Sequence, residues 1–246
     1  MDLGFVLVSK AKYPDAKKLV KHAAALGLEL TRVDTGDDKE MLTFELAGGG
    51  TVIYALMPAP HPDAPHMPTG PTAIGDNELA AQKAHFIVTA LQLPGDVEQR
   101  DFTTAALVAA LIQCTAALGA MLAHGLVFHK AELFAGMVAE GAKEGVLPPE
   151  IAVDITIARE DDDRMSFLTS GMERYGREEL YVTCPINGKG ALGFVFDMTR
   201  WLLQDRDKQL PTGDTLGRTA DEKIRIQRVP NPRGEGAPVI RLDLAQ

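Results

Sequence analysis

Hydrophobic positions along the chain follow two periods. Residues 3–9 (LGFVLVS) form a short β-rich apolar run. Pro14 and Asp15 then open PDAKKLVKHAAALG, where Leu19, Ala23 and Leu26 fall on one helical stripe and Lys17, Lys18 and Lys21 face water. Gly27 ends that helix. The runs MLTFEL and TVIYALM flank Gly48, Gly49 and Gly50 and predict a hairpin. The chain therefore opens strand-helix-strand-strand.

Residues 58–71 (PAPHPDAPHMPTGP) carry too many prolines for regular structure, which predicts an exposed loop or a linker. NELAAQKA reads as a helix and HFIVTALQL (85–93) as a buried strand. A long Ala-rich helix follows, capped by Asp101 and closed by Gly125. The opening order then recurs. GLVFHK is strand-like, AELFAGMVAEGAKEG is a helix ending at Gly145, and EIAVDITIA alternates, with Ile151, Val153, Ile155 and Ile157 on one face. MSFLTS and ELYVTC add strands, and ALGFVFDMTRWLLQ is amphipathic, with Leu192, Val195, Phe196, Thr199, Leu202 and Leu203 on its stripe. KIRIQRV and PVIRLDL predict a terminal edge hairpin around a Pro/Gly-rich turn.

The pattern predicts an α+β fold. Two strand-helix-strand-strand units, a candidate pseudo-repeat, form antiparallel sheet packed on helices, with the Ala-rich helix buried at the centre. The expected organisation is one domain over residues 1–246, whose halves 1–95 and 125–246 are joined by helix 101–124.

Composition narrows the function classes. The 246 residues are 46% hydrophobic and 24% charged, enough for a sizeable core. A net charge of −9 with no basic stripe argues against nucleic acid as a partner. The apolar stretch 105–123 is mostly alanine and is interrupted by Gln113 and Thr115, so a buried helix fits it better than a membrane span. The first residues lack the basic region and cleavage site of a secretory leader, so a cytoplasmic location is expected. Cys114 and Cys184 have no C-x-x-C spacing and read as two reduced, buried thiols.

Candidate chemistry is sparse. His61, Asp63 and His66, with His85 and the acids at 160–163, supply the donor types of a metal-dependent hydrolase or small-ligand enzyme, but no spacing rule is met. Glu160, Asp161, Asp162 and Asp163 lack the calcium-loop spacing, and neighbours in a strand point to opposite faces, so they read as a solvated hairpin tip. INGKGALGF satisfies neither glycine-rich phosphate motif. With no complete catalytic motif, the reading leans away from an enzyme and implies no cofactor. Glu173, Arg174, Tyr175, Arg177, Glu178 and Glu179 mix both charges with an aromatic beside Gly171 and Gly176, a composition suited to protein recognition. The plain alternative is a polar turn with surface ion pairs.

The run FLTSGMERYGREELYV, with the helix around FDMTRWLLQ, resembles the carboxy-terminal signature of the bacterial domain-of-unknown-function family 4261. Its members share a strand, a T-x-G-[ML]-x-x-[FY]-G-x-x-E turn and another strand. Thr169, Gly171, Met172, Tyr175, Gly176 and Glu179 match that turn, and the similarity in element order runs over about residues 80–205. The family brings no activity. Such proteins are similar in setting to immunity or accessory proteins found beside secreted toxins and contractile secretion systems. The expectation is a non-enzymatic cytosolic binding protein, of the toxin-immunity or secretion-accessory kind, acting by protein–protein contact. Its expected partner-binding residues are Glu160, Asp161, Asp162, Asp163, Glu173, Arg174, Tyr175, Arg177 and Glu179. The expected partner is another protein, with a homo-oligomer as an option, and no membrane.

Overall fold

In the computed structural model, which describes residues 1–33, 41–68, 70–205, 207–234 and 236–244, the opening apolar run is strand β1 (Asp2–Val8). Val6 and Val8 join one apolar cluster while Phe5 and Leu7 join another, as period two requires. Helix α1 (Ala16–Ala25) begins where the Asp15 carboxylate accepts the Lys17 and Lys18 N–H groups at 2.9 and 3.0 Å. Strands β2 (Leu30–Val33), β3 (Met41–Leu46) and β4 (Thr51–Met57) follow. The β3–β4 turn needs its glycines: Gly49 and Gly50 have φ of 103° and 101°. Then come α2 (Asp76–Ala80), β5 (Ala84–Leu91), α3 (Val97–Ile112), β6 (Ala117–Leu122), β7 (His129–Lys130), α4 (Ala131–Glu144) and α5 (Pro149–Ala152).

Among the described residues these strands form one antiparallel sheet in the order β2-β3-β4-β5-β1-β6-β7. They belong to a first unit, Met1–Ala152. One sheet face carries α1, α3 and α4 over Phe44, Tyr54, Phe86 and Val88, with Leu107, Leu111 and Phe134 packed down from the helices. Gly4 lets α3 approach β1 closely, since a Cβ there would lie 2.4 Å from Val108 Cγ2.

Three expectations for this unit need correcting. The predicted helix 101–124 is α3 followed by β6. Its cap is Asp96, in a reciprocal capping box with Gln99, while Asp101 lies inside the helix and is buried. Residues 117–122 pair with β1 on one side and β7 on the other, and that pairing overrides alanine's helix preference. The proline-rich segment is neither linker nor wholly exposed: it holds a 3-10 turn at Ala64–His66, and His61 and Ala64 are buried. GLVFHK yields only the two-residue β7. Thr69, in that segment, lies outside the described residues.

The second unit, Val153–Gln246, has its own sheet. Its elements are β8 (Asp154–Arg159), β9 (Arg164–Ser170), a 3-10 turn at Met172–Tyr175, β10 (Leu180–Pro185), α6 (Ala191–Gln204), β11 (Thr215–Leu216), β12 (Ile224–Val229) and β13 (Val239–Asp243). Among the described residues the order is β11-β12-β13-β10-β9-β8, with β10 and β13 parallel. One face is apolar, built from Phe167, Val182, Ile226, Ile240 and Leu242, and α6 packs there through Phe194, Val195 and Leu202.

The α+β class holds, but the pseudo-repeat does not. The second strand-helix-strand-strand order is β7-α4-β8-β9, and its first strand belongs to one sheet while the last two belong to the other. Residues 149–152 are helical, and β8 starts only at Asp154. Its alternation also fails: Asp154 is buried and Ile157 is 41% exposed, because β8 is an edge strand running out to a hairpin tip. The terminal hairpin is real, but β13 sits inside the sheet, bonded to β10. Glu235, Ala245 and Gln246, within that predicted hairpin, lie outside the described residues.

Candidate partner-binding face

The family-like turn is built around one carboxylate. Glu179 is 9% exposed. Its Oε2 accepts the Thr169 hydroxyl at 2.6 Å, and its Oε1 accepts the N–H groups of Gly171 at 2.8 Å and Glu173 at 3.4 Å. Thr169 Oγ1 in turn accepts the Leu180 N–H at 2.7 Å. Gly171 and Gly176 bracket the 3-10 turn with φ of 115° and 73°, a conformation in which an L side chain is strained. Met172 and Tyr175 fill the space beneath. The six matching residues therefore make a folded corner. Arg177 donates to the backbone carbonyls of Lys208 (2.9 Å) and Asp205, so it fastens the segment after α6. Of the predicted residues in this turn, Glu173 and Arg174 are exposed, while Tyr175 and Glu179 are buried.

The four acids form the β8–β9 hairpin tip. Asp161 Oδ1 accepts the N–H groups of Asp163 and Arg164, each at 2.8 Å, which closes the turn. Arg159 donates to Asp161 O at 3.0 Å and to Asp162 O and Oδ1 at 3.2 and 3.1 Å. Asp161, Asp162 and Asp163 are exposed. The tip and the Gly171–Gly176 corner sit at opposite ends of the seven-residue β9, about 20 Å apart at the strand rise. The structure does not bring the two predicted groups together.

Between them runs a polar face. Strand register places Arg164 and Ser166 of β9, Tyr181 and Thr183 of β10, and Arg241 and Asp243 of β13 on the side opposite α6. Ser166 donates to Glu160, an exposed residue of the tip. Thr183 donates to Asp243, and Arg164 donates to Thr183. Arg241 Nε approaches the Asp243 carboxylate at 2.9 and 3.1 Å, and its guanidinium lies 5.8 Å from the Tyr181 ring centre. From the β12–β13 turn, Arg233 donates to Thr156 on β8 at 2.6 Å. Burial, then the hydrogen-bonded Glu160 carboxylate, push the Tyr181 phenol upward, so it stays a protonated donor.

Arg164 and Arg241 each keep 37% of their side-chain exposure and Asp243 keeps 43%. Guanidinium forks and carboxylates are thus held in place yet reachable. Such a face can pair with polar side chains and backbone of another protein at little ordering cost. Sequence reasoning singled out Glu160 here but missed Arg164, Tyr181, Arg241 and Asp243. Period two in RMSFL and RLD was the available signal; the parallel β10–β13 register, joining residues about sixty positions apart, was not.

The metal-site candidates are placed differently. His61 and His85 are stacked edge to face in the first unit, ring centres 4.9 Å apart, and His66 is exposed. Among the described residues no three His, Cys, Asp or Glu side chains converge as ion ligands. Both cysteines are free, and burial pushes the Cys114 thiol up to about 11. Among the described residues no helix is long and apolar enough to cross a membrane. Comparison with protein-family models, curated proteins and solved structures found no match to this chain.

Proposed function

We propose that the chain is a binding protein that acts by contact with another protein, and that the polar face of the second unit is its contact surface. The observation that carries this reading is the partly exposed row Arg164–Asp243–Arg241, held in place by the buried Thr183 and Tyr181 beneath it, since arginine is favoured at interface hot spots. A cytoplasmic role of the toxin-immunity or secretion-accessory kind is the setting that the turn resemblance and the net charge of −9 fit. The exposed acids Asp161, Asp162 and Asp163 at the end of this face would speed the approach of a basic partner without forming its core.

Affinity purification from the source organism tests this, with the wild type beside Arg241→Glu and Asp162→Asn. The expected result is one stoichiometric partner, released by salt, lost with Arg241→Glu and retained with Asp162→Asn. Equal recovery by all three chains would assign the contact elsewhere, and recovery of nothing by the folded wild type would count against a protein partner.

A further inference from the structure

Histidines hold residues 58–68 and 70–75 of the proline-rich segment against the first unit's sheet. His85 Nδ1 lies 2.9 Å from Ala59 O, and since a carbonyl only accepts, that nitrogen carries the hydrogen. His61, inside the segment, plays the opposite part: its Nδ1 accepts the Asp63 N–H at 3.3 Å. The His61 ring stands edge-on to Phe5, His85 and Phe128, with centres 5.1, 4.9 and 5.3 Å away. Farther along, Thr72 Oγ1 and His129 Nδ1 are 2.7 Å apart, and Ile74 N donates to Phe128 O at 2.7 Å. His61, His85 and His129 are all buried. Beneath the segment, Ala64, Met67 and Ile74 pack on Phe5, Leu7, Met121 and Phe128.

We propose that this segment is an acid-released strap: a proton taken up by His61 detaches residues 59–67 and uncovers the apolar face of Phe5, Leu7, Met121 and Phe128, while the helix-covered face stays folded. A proton on His61 Nδ1 turns an acceptor into a second donor aimed at the Asp63 N–H. The imidazolium would be buried among the rings of Phe5, His85 and Phe128 with little to solvate it. The groups facing His61 are few. Burial first, then His85, hold His61 below its ordinary range, and the Asp63 carboxylate on the strap itself pulls the other way. Phe5 of β1 and Phe128 before β7 carry no charge. Burial also pushes His129 down to about 4, so it fastens the far end until the medium is more acid. The opposite sheet face is held by Leu107, Val108 and Leu111 of α3, whose burial does not depend on pH. The strap and the polar face lie in different units, so neither test decides the other.

Hydrogen exchange of the whole chain, read by mass spectrometry at pH 7.5 and 5.0 and corrected for the intrinsic rate, tests the strap. Peptides from residues 59–67 should exchange at least tenfold faster at pH 5.0, reversibly, with a rise in anilinonaphthalene-sulfonate fluorescence, while the end at Thr72–Ile74, α1 and α3 keep their protection. His61→Phe keeps the aromatic box without the titrating nitrogen and should cut the acid response to less than threefold. Asp63→Asn, at an exposed position, removes the carboxylate that favours the proton and should move release to lower pH. Strap amides that stay protected in the wild type at pH 5.0, or that open only together with α3, overturn the proposal. So does an unchanged release midpoint in Asp63→Asn.

Discussion

The two units handle charge in different ways. Residues 1–152 carry 9 lysines and 2 arginines against 18 acids; residues 153–246 carry 3 lysines and 11 arginines against 16 acids. In the first unit the long helix face and the sheet beneath it are apolar, and His61 and His85 on the other face stack ring against ring. In the second, arginines are tied into the fold: Arg159, Arg164, Arg177, Arg218, Arg228, Arg233 and Arg241 all donate hydrogen bonds. Lysine is a solvated point charge on a flexible stem, whereas the guanidinium fork fixes geometry. The difference teaches that the first unit depends on burial and the second on polar order, and it can be broken at defined positions.

The largest effect should come from the apolar side. Phe86 on β5 is fully buried between Tyr13 and the helix layer, so Phe86→Ala should cost about 4 kcal/mol and leave the cost unchanged by salt. Circular dichroism during urea unfolding measures it, and a cost that falls sharply with added salt would break the contrast. Acid should act on the same unit. The folded value of His129 lies at about 4, below the ordinary 6.5, because burial disfavours the imidazolium. The folded state thus binds fewer protons than the unfolded chain, and stability falls as pH drops from about 6.5 through 4, by about 3 kcal/mol in total. His129→Asn, which can still bond Thr72, should flatten that slope in a pH series of unfolding midpoints.

In the second unit the comparable position is polar. Glu179→Ala leaves the Gly171 N–H and the Thr169 hydroxyl without their carboxylate, which should cost about 2 to 3 kcal/mol. Trp201 is the only tryptophan of the chain and lies on α6, with Lys208 4.6 Å above its ring, so its fluorescence reports this unit alone. An early fluorescence transition with the first unit's circular dichroism unchanged is expected. A single shared transition would mean that the corner is not a local support.

How much of this was legible follows from the range of the interactions. Asp15 as a cap and the Gly48–Gly50 hairpin rest on neighbours within a few residues, and the structure keeps both; the α6 stripe is kept at Val195, Thr199 and Leu202 but shifts to bury Phe194 while Leu192, Phe196 and Leu203 are only half-buried. The Ala-rich run misled because residues 117–122 take their state from β1, more than a hundred positions away. The turn motif was visible, but its meaning was not: the Glu179 carboxylate looks like a recognition group until Thr169 and Gly171 are seen to use it. Arg241 and Tyr181 came together only through the parallel β10–β13 register, which no local pattern specifies.

The smallest effect should fall on the acids at the hairpin tip, and it separates their members. Asp162 is fully solvated and, among the described residues, its carboxylate meets Arg159, itself exposed, so Asp162→Asn should leave the unfolding midpoint within error at any salt concentration. Asp161 lies two bonds deeper in the architecture, since its carboxylate accepts the N–H groups of Asp163 and Arg164 and sets the turn. Asp161→Ala should therefore shift the Trp201 transition measurably, whereas Asp161→Asn, which keeps an acceptor at the same atom, should restore most of the loss. If Asp162→Asn proved as disruptive as Asp161→Ala, the tip would be held by its summed charge, and an ion bound among these carboxylates would become the better account of why four acids stand in a row.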